Sequence, residues 1–161
     1  MLFTIDNDPR LILKFEEFAE ELGRSRFHYF LKYENYLIWA GKSFQPSING
    51  SPEKWLAGSD LEFPAKGLQW FINTLELKFF RTEVEDGLPK GKYAYEETVD
   101  GENLCVSRMF GEPGYGFRNY SRQSHLWEED DDNDPQHANF SDELLFTKGL
   151  FEEFKKIALK I

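Results

Sequence analysis

Apolar residues return along this chain at two different spacings, and the spacings divide it into helical and extended stretches. Leu11, Phe15, Phe18 and Leu22 recur every three or four residues, with Ile12 and Ala19 beside them. Glu16, Glu17, Glu20 and Glu21 take the opposite side, Asp8-Pro9 supplies a cap and a first-turn proline, and Gly23 supplies a stop. A helix is predicted over about 9–22. The same spacing returns after Pro64 in Leu68, Phe71 or Ile72, Leu75 and Phe79, and near the C-terminus in Leu150, Phe154, Ile157 and Ile161. These predict helices over about 65–80 and 147–160. Their entries, Phe63-Pro-Ala-Lys66-Gly67-Leu68 and Phe146-Thr-Lys148-Gly149-Leu150, share a helix-start grammar too short to count as a repeat.

Elsewhere the period is two. Phe27, Tyr29 and Leu31 alternate with His28, Phe30 and Lys32, and Glu34-Asn35 separates them from the run Tyr36-Leu37-Ile38-Trp39. A hairpin over about 26–42 follows, with a helix through the same residues as the alternative. Tyr93, Tyr95 and Glu97 alternate with Ala94 and Glu96. Asp100-Gly101 is a strong turn signal, and Leu104, Val106 and Arg108 give a return strand. Pro113-Gly114 then reverses the chain into Phe117–Gln123, completing a three-strand meander over about 92–123. Leu2–Ile5 reads as a short strand. Ser43–Gly58 reads as a loop holding one helical turn around Trp55. The fold class expected is α+β: an antiparallel sheet packed by three helices, in one domain spanning 1–161.

Composition adds a partner to this picture. The chain has 161 residues, 40% of them hydrophobic and 16 of them Phe, so a core of large rings is affordable at this length. Its net charge is −10, and six of those charges come from Glu128, Glu129, Asp130, Asp131, Asp132 and Asp134, inside a loop expected over about 126–141. Such a balance argues against nucleic acid and favours a basic protein. Cys105 is alone, no apolar run approaches membrane-spanning length, and Met1–Asp6 lacks the order of a secretory signal. A cytoplasmic chain with no membrane attachment is expected.

Candidate chemistry is sparse. The acid run has three readings: a solvated linker, a surface for a cationic protein, and a calcium loop. Asp130, Asp132 and Asp134 alternate as calcium ligands do, yet no Gly follows them. Trp127 at the entry to the run, with Tyr115 and Tyr120 before it, offers aromatic anchors for a partner. Arg108, Arg118 and Arg122 with His125 leave open a small-molecule enzyme, although Ser124-His125 lacks the elbow of a serine hydrolase. Alternatively these arginines balance the glutamates of strand 92–99. Cys105, mid-strand, is expected to be buried, and Gly114-Tyr115-Gly116 lacks the pattern of a phosphate loop. No motif calls for a cofactor or a metal.

Three segments together carry a resemblance: Asp100-Gly101-Glu102-x-Leu104-x-Val106-x-Arg108, then Pro113-Gly114-Tyr115-Gly116-Phe117-x-Asn119-Tyr120-Ser121-Arg122, then the acid run. Over residues 60–161 the chain resembles the small acidic immunity proteins that bacteria make against polymorphic and contact-dependent toxins. The resemblance implies a stoichiometric inhibitor that covers a basic toxin domain and catalyses no reaction.

Overall fold

The computed structural model describes residues 6–19, 23–45, 47, 49–50, 52–123 and 134–161, without the side chains of 19, 24, 45 and 54–59. Four strands come first: β1 (Leu11–Ala19), β2 (Arg24–Tyr33), β3 (Tyr36–Gln45) and β4 (Lys54–Pro64). Next is α1 (Lys66–Thr74), which runs on as a π-turn over Leu75–Phe79. Then follow β5 (Ala94–Val99), β6 (Glu102–Arg108), β7 (Gly114–Gln123) and β8 (Pro135–Ser141). A second π-turn, Glu143–Thr147, leads into α2 (Leu150–Lys160). The strands form two antiparallel sheets, β1-β2-β3-β4 and β5-β6-β7-β8, each in sequence order.

The fold is α+β, with the expected hairpin, meander and two later helices in place. The hairpin turns on Glu34-Asn35 with Tyr33 opposite Tyr36, and Glu34 takes a positive φ of 53°. The meander turns on Asp100 (φ 46°) and Gly101 (φ 83°), the paired left-handed conformations of a tight hairpin.

Three expectations are overturned. The helix over 9–22 is strand β1 over residues 11–19: Leu13 pairs with Phe30 and Phe15 with His28. Leu13, Phe15 and Glu17 point inward while Lys14, Glu16 and Phe18 are exposed, a period of two that the helical stripe concealed. Asp8 does not cap a helix. It folds back on Arg10, accepting from its backbone N–H at 2.9 Å and from its guanidinium at 2.7 and 2.9 Å. Arg10 thereby holds the Asp8 carboxyl down at about 2. The helical turn around Trp55 is part of β4, where Trp55 pairs with Phe44, so the loop shortens to the β3–β4 connection. The loop over 126–141 ends in an unforeseen strand, β8, whose Gln136, Ala138 and Phe140 alternate inward against β7. The short strand at 2–5 lies outside the described residues.

One aromatic cluster joins both sheets and both helices. Phe117 of β7 stacks on Phe71 of α1 and lies against Phe63 of β4, both at 4.9 Å between ring centroids. Phe154 of α2 meets Phe30 of β2 at 5.1 Å and Phe140 of β8 at 5.5 Å. Gly67 lets α1 come this close: a Cβ there would stand 2.8 Å from the Phe63 ring and 3.0 Å from Leu104. The matching glycine of the second entry does something else, since Gly149 is the left-handed residue preceding α2 (φ 89°).

Beneath that cluster, the edge strands β4 and β8 meet without a shared ladder. Side chains replace it. Glu62 of β4 donates its backbone N–H to Gln136 Oε1 at 2.8 Å, and its carbonyl accepts from Asn119 Nδ2 at 2.8 Å. Both amide side chains are buried. They satisfy an edge that would otherwise invite pairing with another chain.

Candidate partner-binding face

In sequence the acid run falls between β7 and β8. Gln123 pairs with Pro135, so the described residues on either side of 124–133 stand side by side where β7 and β8 close. Asp134 is exposed and has no ion-pair partner among the described residues. Trp127, Glu128, Glu129, Asp130, Asp131 and Asp132 lie outside the described residues, as does His125.

Beneath this end sits a charged joint between the sheets. Arg122 donates Nε–H to Glu102 Oε1 at 2.6 Å and an Nη1–H to Glu62 Oε2, with its guanidinium 4.7 Å above the Tyr36 ring. The hydrogen bond to Glu102 pushes Arg122 further up from its ordinary value. Asn119 Nδ2 donates to Glu102 as well, at 3.0 Å. A cleft of about 720 Å³ opens nearby between the β2–β3 turn, the start of α1, the β5–β6 turn and the end of α2. Its walls mix apolar groups (Ala65, Trp70, Ala158, Ile161) with polar ones: Lys66 pairs with Asp100 at 3.6 Å, and Gln69 donates to Asn73 at 2.9 Å. The Trp70 indole on its wall donates to Glu97 at 2.7 Å.

The two tyrosines part company. Tyr120 is 49% exposed, whereas Tyr115 is 6% exposed and packs edge-on against Phe79 at 5.3 Å. Tyr115 therefore belongs to the core, its phenol pushed up chiefly by burial. Cys105 is buried, and burial raises its thiol, as befits a small core residue.

The three arginines do not converge. Arg118 reaches Ser107 Oγ at 2.9 Å, Arg122 is held by Glu62 and Glu102, and Arg108 donates to the Phe79 carbonyl at 3.2 Å. Arg108 pairs with Tyr115, seven residues before Arg122 on β7, about 23 Å at strand rise. Among the described residues none of the three arginines forms an ion pair with a glutamate of strand 92–99; Arg122 takes Glu62 and Glu102 instead.

Sequence reasoning missed a buried polar chain on the first sheet. The Trp39 indole N–H donates to His28 Nδ1 at 3.3 Å, which places the imidazole proton on Nε2, and Nε2 donates to Glu17 Oε2 at 3.3 Å. Lys148 closes it, its ammonium 4.0 Å from Glu17. The hydrogen bond from His28 lowers the Glu17 carboxyl below its ordinary 4.5. Each group is occupied by another, so the chain ties β1 to β3 and to the approach of α2.

Among the described residues no His, Cys, Asp and Glu side chains gather as a metal site requires, and no helix is long and apolar enough to cross a membrane. Compared with models of protein families and with curated proteins, the chain matches none.

Proposed function

We propose that the chain is a protein-binding module whose carboxylate run engages a cationic protein, and that it acts as an immunity protein neutralising a cognate toxin in the cytoplasm. The observation that carries the reading is the state of the nearest cation in sequence. Arg122 is already committed to Glu62 and Glu102, so it is not left over to neutralise the six carboxylates of residues 128–134. A run of like charge in the connection between two paired strands, with its neighbouring cation occupied, is suited to steering a basic partner. Tyr120 adds an exposed ring at the same end of β7. The cleft of mixed polarity adds a recess able to take a side chain of the partner.

Coexpression with the toxic protein encoded by a neighbouring reading frame tests this directly. Growth is expected to be restored, and restored less well by Asp130→Lys/Asp131→Lys/Asp132→Lys. Cell death despite abundant folded chain would contradict the reading.

A further inference from the structure

We propose that a basic groove at the opposite end of the second sheet binds a small phosphorylated anion carrying two or more negative charges. The groove measures about 580 Å³ and lies between the C-terminal end of the first π-turn and the connection to β5. Lys78, Arg81, Lys90, Lys92 and Arg108 line it, against a single carboxylate, Glu83. Among the described residues none of these five cations forms an ion pair. Among the described residues outside the groove, Arg10, Lys14, Lys66, Arg122, Lys148, Lys155 and Lys156 form ion pairs, while Arg26, Lys32, Arg118 and Lys160 do not. In a chain of net charge −10, where carboxylates outnumber cations 29 to 19, this concavity gathers five cations that form no salt bridge among the described residues.

The cations are also held in place. Arg108 donates to the Phe79 carbonyl and lies 5.4 Å from the Phe79 ring centre, and Lys78 lies 5.3 Å from that of Tyr95. The connecting segment is braced rather than loose. Thr82 and Glu85 form a reciprocal cap, Leu88 N–H donates to the Lys78 carbonyl at 2.9 Å, and Lys92 N–H donates to the Pro89 carbonyl at 3.0 Å. Glu83 accepts a hydrogen bond from the Lys90 backbone N–H at 3.1 Å.

Size and charge select the ligand. The volume is that of a small-molecule site, while the net negative charge of the whole molecule repels a long polyanion that extends beyond the groove. A phosphate group concentrates two charges in a small space and accepts the planar fork of Arg81 or Arg108. Beside Lys92 and two residues beyond Arg108, Tyr93 and Phe110 stand 53% and 81% exposed with ring centroids 5.4 Å apart. They offer a stacking surface to a phosphate ester that carries a ring.

Calorimetric titration of the full chain with tripolyphosphate and with ATP, at fixed ionic strength, tests the proposal. Saturable binding with one site is expected. At ligand tenfold above its Kd, Tm should rise by about 4 °C. Lys90→Glu/Lys92→Glu, at exposed positions, should weaken both ligands by about tenfold or more, while Lys156→Glu/Lys160→Glu on α2 should leave them unchanged. Tyr93→Ser/Phe110→Ser should weaken ATP alone, which separates a ring-bearing ester from free phosphate. Absence of saturable heat with either ligand would overturn the proposal. So would binding indifferent to the groove reversal, or binding no tighter than that of a short polyglutamate peptide.

Discussion

The two ends of the β5–β8 sheet treat their cations in opposite ways. At the end where β7 meets β8, Arg122 is clasped by Glu62 and Glu102, and Lys66 faces Asp100 across the cleft. At the other end Lys78, Arg81, Lys90, Lys92 and Arg108 surround a groove with no ion-pair partner among the described residues. The first end uses charge to hold two sheets together, and the described Asp134 beside it is exposed. The second gives up pairing and keeps its cations available. A strongly acidic chain can do both, because the sign of a surface is set by which charges are already satisfied internally.

Breaking the first end should have the largest effect on stability. Asn119 is fully buried and serves Glu62, Glu102 and Ser121 at once. Its replacement by Ala strands the Glu62 carbonyl and the Ser121 N–H, and is expected to cost about 3 kcal/mol. Thermal unfolding should fall by about 9 °C. Arg122→Met leaves two carboxylates facing each other at a partly buried joint and should cost about 2 kcal/mol. The matching change at the other end, Arg108→Met, should cost under about 1 kcal/mol, since no ion pair is lost. Equal losses in urea unfolding for Arg122→Met and Arg108→Met would erase the contrast between the ends.

A smaller effect concerns pH, and it sets the first sheet beside these ends. Glu17 titrates below its ordinary 4.5 in the folded chain because His28 hydrogen-bonds its carboxylate. A depressed carboxyl contributes stability that is complete above the unfolded value and is lost as pH falls through the folded one. Glu17→Gln should therefore be less stable at neutral pH by about 1 kcal/mol, with a gap that narrows below about pH 4. Unfolding curves that stay parallel from neutral to acid would remove Glu17 from the acid response.

What could be read in the sequence was what local chemistry decides. The Glu34-Asn35 and Asp100-Gly101 turns announce their hairpins because strands joined by two residues have little choice of register. Leu68, Phe71 and Leu75 announce α1 because their stripe has no competing alternation. In residues 11–19 the stripe Leu11, Phe15, Phe18 coexists with the alternation Leu13, Phe15, Glu17, and pairing with β2 decided between them. Strand β8 was hidden by the neighbouring acid run, although Gln136, Ala138 and Phe140 already alternate. The joint at Glu62 depends on partners 57 and 74 residues away, beyond any local pattern. The basic groove did have a local signal: Lys78, Arg81, Lys90 and Lys92 fall within fifteen residues. Only the fold brings Arg108 to them.

Electrostatic steering by residues 128–134 is the central claim, and stopped-flow association tests it most directly. The chain would be mixed with the cationic protein whose toxicity it is proposed to neutralise, from low to physiological salt. Native chain should associate quickly and slow steeply as salt rises; Asp130→Lys/Asp131→Lys/Asp132→Lys should associate about tenfold more slowly, with a flatter dependence. Identical rates and identical salt slopes for the two proteins would contradict it.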